Sequence, residues 1–202
     1  IVGFAHQNTS QKTIFDYEDI KGEAHATTAS NINAYLVDAP NIFLDKRSSP
    51  ICNVSNMMEG SALIDSGHFI LTDEEADLLR NDSPNATNWL RKLYSGDDFI
   101  NNGFRWCLWL NNIKPSELRE SKIILERLSQ VQKFRQSSNR EATNKLAHSP
   151  SLFGELRQPK GNYLFIPKTS SERRAFIPIG FMPPDALINN TSLFVDNASL
   201  YE

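Results

Sequence analysis

Two apolar runs, Tyr163–Ile166 and Ala175–Phe181, bracket the polar hexapeptide Thr169-Ser170-Ser171-Glu172-Arg173-Arg174. The runs have strand-like composition, giving an apolar scaffold that holds out the connection between them. That connection carries one carboxylate and two guanidiniums. An arginine fork matches guanine O6 and N7, and a glutamate accepts from the cytosine amino group. If the hexapeptide is extended, Glu172 and Arg174 point to one side, because strand side chains alternate with period two, and together they address one C·G pair. The alternative from residue types alone is a strand–turn–strand whose charges only face water.

A chain of 202 residues is long enough for one domain with a sizeable core, or for a domain with an inserted lobe. No apolar run approaches the ~20 residues of a membrane span, and no secretory leader pattern opens the chain. The start at Ile1 and the stop at Leu200-Tyr201-Glu202 suggest a domain cut from a longer protein. Cys52 and Cys107 lack a CxxC partner, which fits a reducing compartment and argues against zinc. The Asn-x-Ser/Thr tripeptides then read as ordinary loops. Charge is unevenly placed: residues 1–113 carry −7, residues 114–174 carry +7 and residues 175–202 carry −3. A net-acidic chain argues against nucleic acid, whereas a local +7 reopens that reading, since phosphate neutralisation supplies most non-specific affinity. The +7 segment reads equally as a solvated, salt-bridged helix face.

Strands are expected at Ile1–Phe4 and Lys12–Ile20, then a loop over 21–31, and short runs at Tyr35–Val37 and Ile42–Leu44 with one at a sheet edge because of Pro40. Ser61–Asp65 and His68–Leu71 bracket a Ser66-Gly67 turn. Thr72-Asp73-Glu74-Glu75 has capping-box spacing, with a helix through Leu79. Ser83-Pro84 predicts a helix over Asn85–Tyr94 that stops at Gly96. Phe104–Leu110 reads as a buried strand with Trp106 and Trp109 on opposite faces. Beyond Pro115, Ile123, Ile124, Leu128, Val131 and Phe134 recur at helical spacing, and a shorter helix follows over Ser138–Leu146. Strands return at Tyr163–Ile166, Ala175–Phe181 and Leu193–Val195. The fold class is α+β, with mixed and antiparallel sheet elements and a helical insertion mid-chain. A single domain over 1–202 is expected: 1–113 mostly strands with short helices, 114–149 a helical lobe, 150–202 strands.

Chemistry-bearing motifs are few. Asp38-Ala39-Pro40-Asn41 lacks the second proline and the aromatic of an adenine-methylating loop. No glycine-rich turn offers a cofactor cradle, and no acidic pair with a following lysine suggests a nuclease Mg²⁺ site. Ser66-Gly67-His68 and His148-Ser149 invite a hydrolase reading, but sequence neighbours are poorly placed as nucleophile and base, and the nucleophile-elbow motif is missing. His6, His25, His68 and His148 share no metal spacing. Arg105-Trp106 has the composition of a stacking pair, but an aromatic strand is more often core. No catalytic, cofactor or metal residue is expected here.

A wider set of motifs gives these features a context. They are Asn33-Ala34-Tyr35-Leu36-Val37; Gly60-Ser61; Asp65-Ser66-Gly67-His68-Phe69-Ile70-Leu71 with Asp73-Glu74-Glu75; Arg105-Trp106-Cys107-Leu108-Trp109-Leu110; Pro150-Ser151-Leu152-Phe153; and the block from Ile166-Pro167 to Gly180-Phe181. In this order, over nearly the whole chain, they resemble the target-recognition domain of the MmeI-type restriction–modification enzymes. Ser66 departs from the pattern, which has a second glycine there. The resemblance implies a cytoplasmic bacterial or archaeal polypeptide, monomeric, whose other domains methylate adenine N6 with S-adenosylmethionine and cleave DNA with Mg²⁺. This segment would bind double-stranded DNA and supply the sequence specificity. Glu172, Arg173 and Arg174 are the candidates for base edges. Lys168, Thr169, Ser170 and Ser171 are candidates for phosphates or adjacent bases, and Lys133, Arg135, Arg140 and Lys145 for the backbone. A competing reading makes Glu172–Arg174 an internal ion pair, with specificity in residues 137–162 or 182–190. A non-catalytic protein-interaction module also accounts for the missing catalytic groups.

Overall fold

The computed structural model describes residues 6–43, 45–47, 49–83 and 85–200. The expected strand Ile1–Phe4 and the end of the Ile42–Leu44 run lie outside them. The chain divides into two compact units, Ile1–Ser49 and Pro50–Glu202.

In the first unit, β1 (Lys12–Asp16) pairs antiparallel with β2 (His25–Ala29), from Lys12 opposite Ala29 to Asp16 opposite His25. β1 stops short of the expected Ile20, and β2 falls inside the expected loop. Asp19 explains the early stop. Its carboxylate accepts from Lys21 N (3.0 Å) and its carbonyl from Gly22 N (2.8 Å), which closes a turn. The β-branched pair Thr27-Thr28 then supplies the return strand. Tyr35–Val37 is not a strand. It is the tip of a tight turn, with Ile32 bridging Asp38 across its base.

The second unit holds two four-stranded sheets. One contains β3 (Met57–Glu59), β7 (Tyr163–Pro167), β8 (Gly180–Met182) and β10 (Ser192–Asp196) in the antiparallel order β3-β10-β7-β8. The other contains β4 (Ile70–Leu71), β5 (Leu90–Tyr94), β6 (Arg105–Leu108) and β9 (Leu187–Ile188) in the order β4-β6-β5-β9, and only β5–β9 is parallel. Short helices α1 (Asp73–Asp82), α2 (Ala86–Trp89), α3 (Gly96–Ile100) and α4 (Pro115–Leu118) punctuate the strands. The long α5 (Lys122–Gln136), α6 (Glu141–Lys145) and a 3₁₀ turn (Leu146–His148) form the helical insertion. The α+β expectation holds.

α1 starts as its sequence dictates: Thr72 Oγ1 accepts from Glu75 N, and the Glu75 carboxylate accepts from Thr72 N. The expected Asn85–Tyr94 helix is corrected. Only Ala86–Trp89 is helical, and Leu90–Tyr94 is β5, where the ladder to β6 overrides a Leu90/Leu93 spacing that suits either structure. Trp106 and Trp109 have different neighbours, and Trp109 lies just past the end of β6. The Trp106 indole donates to Asp73 beneath the Arg80 guanidinium, whereas Trp109 lies under Arg91 and against the edge of Phe153. Arg105 is paired with Asp98, so Arg105-Trp106 belongs to the framework.

The two sheets are stitched together at Gly60-Ser61. Gly60 N donates to Ser192 O (3.1 Å), Ser61 N to Ile188 O (2.9 Å) and Asn190 N to Ser61 O (2.9 Å). A Cβ on Gly60 would stand 2.3 Å from Asn189 O, a backbone atom that cannot swing away. Gly60→Ala is therefore expected to cost about 3 kcal/mol, the upper part of the range for overpacking, read from the urea midpoint. Ser66 is opposite in kind. It sits at φ 54°, next to Gly67 at φ 85°, in the left-handed region that penalises a side chain. Glycine is conformationally preferred at such a position. Ser66→Gly is expected to raise stability by up to about 1 kcal/mol, after the extra freedom of the unfolded chain is counted.

Candidate nucleic-acid interface

The polar loop at 168–179 hangs from the best-buried strand of its sheet. β7 lies between β10 and β8, and Tyr163, Leu164, Phe165 and Pro167 are buried. Phe165 stacks on Phe99 at 4.5 Å, and the buried Tyr163 hydroxyl donates to Ala186 O at 2.9 Å. Burial pushes the Tyr163 hydroxyl pKa upward, so the group stays a neutral donor. At the loop base Lys168 Nζ donates to Glu59 Oε1 (2.6 Å), and Arg157 binds the other Glu59 oxygen (3.3 Å). Lys168, more than any other neighbour, holds the Glu59 carboxyl below its usual range.

The loop itself is not extended. Arg174 N donates to Ser171 O (3.1 Å) and Arg173 N to Ser171 Oγ (3.2 Å), so Ser171–Arg174 is a tight turn with Glu172 and Arg173 at its centre. The expected strand Ala175–Phe181 is correspondingly reduced to Gly180–Met182. Pro178 has no N–H to donate, and the ladder to β7 ends at Gly180 opposite Phe165. Same-side projection of Glu172 and Arg174 by strand alternation therefore does not apply. Thr169, Ser170, Ser171, Glu172, Arg173 and Arg174 are all exposed. Among the described residues none of Glu172, Arg173 and Arg174 forms an ion pair. The internal Glu172–Arg174 pair is not formed.

Two arginines of α5 turn inward. Arg127 donates through Nη1 to His68 O and Ile70 O, both at 3.0 Å, and pairs through Nη2 with Glu75 (2.6 Å). Arg135 is 0% exposed. Its guanidinium donates to five carbonyl oxygens: Ile64 (2.8 Å), Leu146 (3.2 Å), Ser149 (3.0 Å), Leu63 (3.1 Å) and Leu152 (2.8 Å). The expectation that Arg135 clamps a phosphate backbone is corrected, since every donor of its fork is used inside the fold. Lys133 and Arg140 are exposed and form no ion pair among the described residues, while Lys145 pairs with Glu141 at 2.7 Å on the surface of α6. Part of the +7 is therefore structural, and part faces solvent.

Two concavities lie among the described residues. A groove of about 680 Å³ along α5 is lined by Ser66, His68, Glu75, Lys122, Glu126 and Arg127. It places Ser66 and His68 near carboxylates, but no hydrogen bond joins them, and Glu75 is engaged by Thr72 N and Arg127. His148 closes the 3₁₀ turn elsewhere. The nucleophile–base contact of a hydrolase is not built. A cleft of about 930 Å³ is lined by Arg91, Trp109, Arg157, Gln158, Asp185 and Asp196, among others. It draws on both loop regions named as alternative seats of specificity. Among the described residues no cluster of His, Cys, Asp or Glu is set to hold a metal, and no helix is long and apolar enough to cross a membrane.

The model for the target recognition domain of MmeI matches residues 38–202. The chain belongs to the MmeI target-recognition-domain family. It is 30% identical over 201 residues to DNA methyltransferase A of Bacillus subtilis (strain 168), covering 100% of this chain and 22% of that protein. It also superposes on a solved structure of the Type IIL restriction-modification enzyme MmeI in complex with DNA, with TM-score 0.87 and 39% identity over 96% of this chain and 26% of that one. The chain thus spans about a quarter of each relative. In this chain the Asp65–Leu71 motif has a structural part: Arg127 binds two of its carbonyls, and Arg135 binds the two just before it among others.

The inward role of Arg135 was missed although its signal was present. Ile124, Leu128, Val131 and Arg135 lie on one stripe at spacings of four, three and four, whereas Phe134, expected in that stripe, is 37% exposed. Replacing Arg135 by Met fills the space but strips the donors from Ile64 O and Leu152 O and leaves Leu63 O, Leu146 O and Ser149 O with one backbone bond each. We expect a loss of about 3–5 kcal/mol, against less than about 0.5 kcal/mol for Lys133→Ala on the same helix, both from denaturant melts.

Proposed function

We infer that the chain reads a specific double-stranded DNA sequence on behalf of a longer restriction–modification polypeptide. The observation that carries this reading is the close match, in sequence and in shape, to an enzyme solved with DNA. The parent would methylate DNA with S-adenosylmethionine and cleave it with Mg²⁺ in domains outside these residues, and this segment would hold neither group. The exposed turn at 171–174 supports the reading physically. A carboxylate and two guanidiniums stand in water without internal partners, on a loop whose two ends are fixed by the ladder between the buried β7 and the more exposed β8. Groups so placed lose little solvation energy until a partner arrives, and that partner then decides what they pair with.

Glu172, Arg173 and Arg174 are assigned to base edges, and Thr169, Ser170 and Ser171 to phosphates or neighbouring bases. Lys133, Arg140 and Lys145 are assigned to the backbone. Lys168 must exchange or share Glu59 to reach a phosphate, so its main part is to fix the loop base. The cell compartment would be the cytoplasm, where the DNA is.

The chain is expected to bind duplex DNA weakly, with affinity falling steeply between low and moderate salt. Arg173→Ala and Arg174→Ala should each relax discrimination at one base position by about 1–3 kcal/mol while leaving the unfolding midpoint unchanged. Lys133→Ala and Arg140→Ala should weaken binding to all sequences alike and flatten the salt slope. Fluorescence-anisotropy titrations over a salt series separate these patterns. No binding at low salt, or variants of the turn that bind and discriminate like the parent, would refute the assignment.

A further inference from the structure

Residues 30–41 form a hydrogen-bonded knuckle that pushes apolar side chains outward. Asn33 is its pivot: its side-chain oxygen accepts from Tyr35 N (2.9 Å) and Val37 N (3.4 Å), and its backbone exchanges bonds with Val37 O and Leu36 N. Asp38 closes the base by accepting from Ser30 N, Ser30 Oγ and Asn31 N, all within 3.1 Å. Asn31 Nδ2 adds a bond to Ala39 O at 2.6 Å. Three asparagine and aspartate side chains thus fix the backbone of a short turn.

This polar scaffold displays Tyr35, Leu36 and Val37, which are 56%, 52% and 50% exposed. Leu36 sits at φ 60°, a region that suits asparagine or glycine and disfavours an apolar side chain. Phe15, Tyr17, Ile42 and Phe43 of the same unit are also more than half exposed. The unit's only sheet among the described residues is the two-stranded β1–β2, which by itself is marginal in water. Ordered backbone, a residue in a disfavoured conformation and outward apolar groups together describe a preformed plug without its socket.

The matches indicate what supplies the socket. The target-recognition model begins at residue 38, at the base of the knuckle, whereas the longer methyltransferase relative aligns with all of the chain. The family model thus does without residues 6–37, which the long relative nonetheless shares, and the chain accounts for only 22% of that relative. We propose that Tyr35, Leu36 and Val37 dock into an apolar cleft on the part of the longer polypeptide outside these residues, fixing the recognition module in register with it. The proposal rests on family membership and does not require that Glu172–Arg174 read bases.

The test compares the full-length polypeptide with the 202-residue chain. In each, Tyr35→Cys is labelled with a small maleimide and quantified by peptide mass spectrometry, with the exposed Cys52 as reference. Labelling at position 35 should be at least tenfold slower in the full-length protein. Leu36→Asn should leave the 202-residue chain as stable as before or more so, since asparagine accepts positive φ, while making the full-length protein at least tenfold more sensitive to limited proteolysis between its parts. Equal labelling in both forms would overturn the proposal. So would labelling of the 202-residue chain that slows with its own concentration, which would indicate a second copy, or with added duplex, which would indicate DNA. A Leu36→Asn protein as protease-resistant as the parent would count equally against it.

Discussion

The architecture of the larger unit depends on one buried cation. Arg135 reaches from the last turn of α5 to carbonyls of Leu63 and Ile64 before the Asp65–Leu71 motif, and to those of Leu146, Ser149 and Leu152 after the helical insertion. Ile64 O and Leu152 O depend on the guanidinium for a donor, while Leu63 O, Leu146 O and Ser149 O take it as a second bond beside a backbone N–H. Arginine serves all five with a single side chain, because its planar fork presents five donors in fixed directions. Burial lowers the guanidinium pKa, with Asp65 opposing the shift, yet arginine starts so high that the group stays charged. Arg127 repeats the device two turns earlier, on the carbonyls of His68 and Ile70. The helical insertion is thereby pinned to the motif that opens the second sheet.

Rigidity at this framework makes an exposed reading loop physically reasonable. The loop at 168–179 keeps its charges in water, while its ends are fixed by β7 and β8 and by the Lys168–Glu59 contact. Gly60 lets the β3 segment pass against the backbone at Ile188–Asn189, which ties that sheet to the one built on β5 and β6. The helical arginines and the glycine crossing thus serve one end: they hold a small polar turn in a defined place on an otherwise acidic protein.

Much of this was legible in the sequence where local chemistry decides the structure. The Thr72–Glu75 capping box, the Ile124, Leu128 and Val131 stripe of α5 and the strands at β6, β7 and β10 are set by side chains close in sequence, and they formed as expected, whereas Phe134 stayed off the stripe. The failures lie where distant pairing decides. Leu90–Tyr94 is a strand because β6 and β9 flank it, and His25–Ala29 is one because β1 needs a partner. Glu172–Arg174 turned out to be a turn because Ser171 caps it, not the extended segment that two strand-like flanks suggested. Arg135 shows the opposite lesson. Its place on the core stripe was visible, but a charged residue in a basic segment was read by its charge instead of its position. A regional net charge says nothing about which of its members are buried.

We propose that a turn held out from β7 and β8, and not the cleft loops around residues 156–160 and 184–186, contacts the bases. Photo-crosslinking decides it most directly. A photoreactive phenylalanine analogue is placed in the full-length protein at position 173, and in separate proteins at positions 156 and 185. Each is irradiated with a random-sequence duplex library, and the attached DNA is sequenced. Crosslinks from position 173 should concentrate on one short shared motif at a fixed offset. Crosslinks that arise from positions 156 or 185 while position 173 gives none would contradict it.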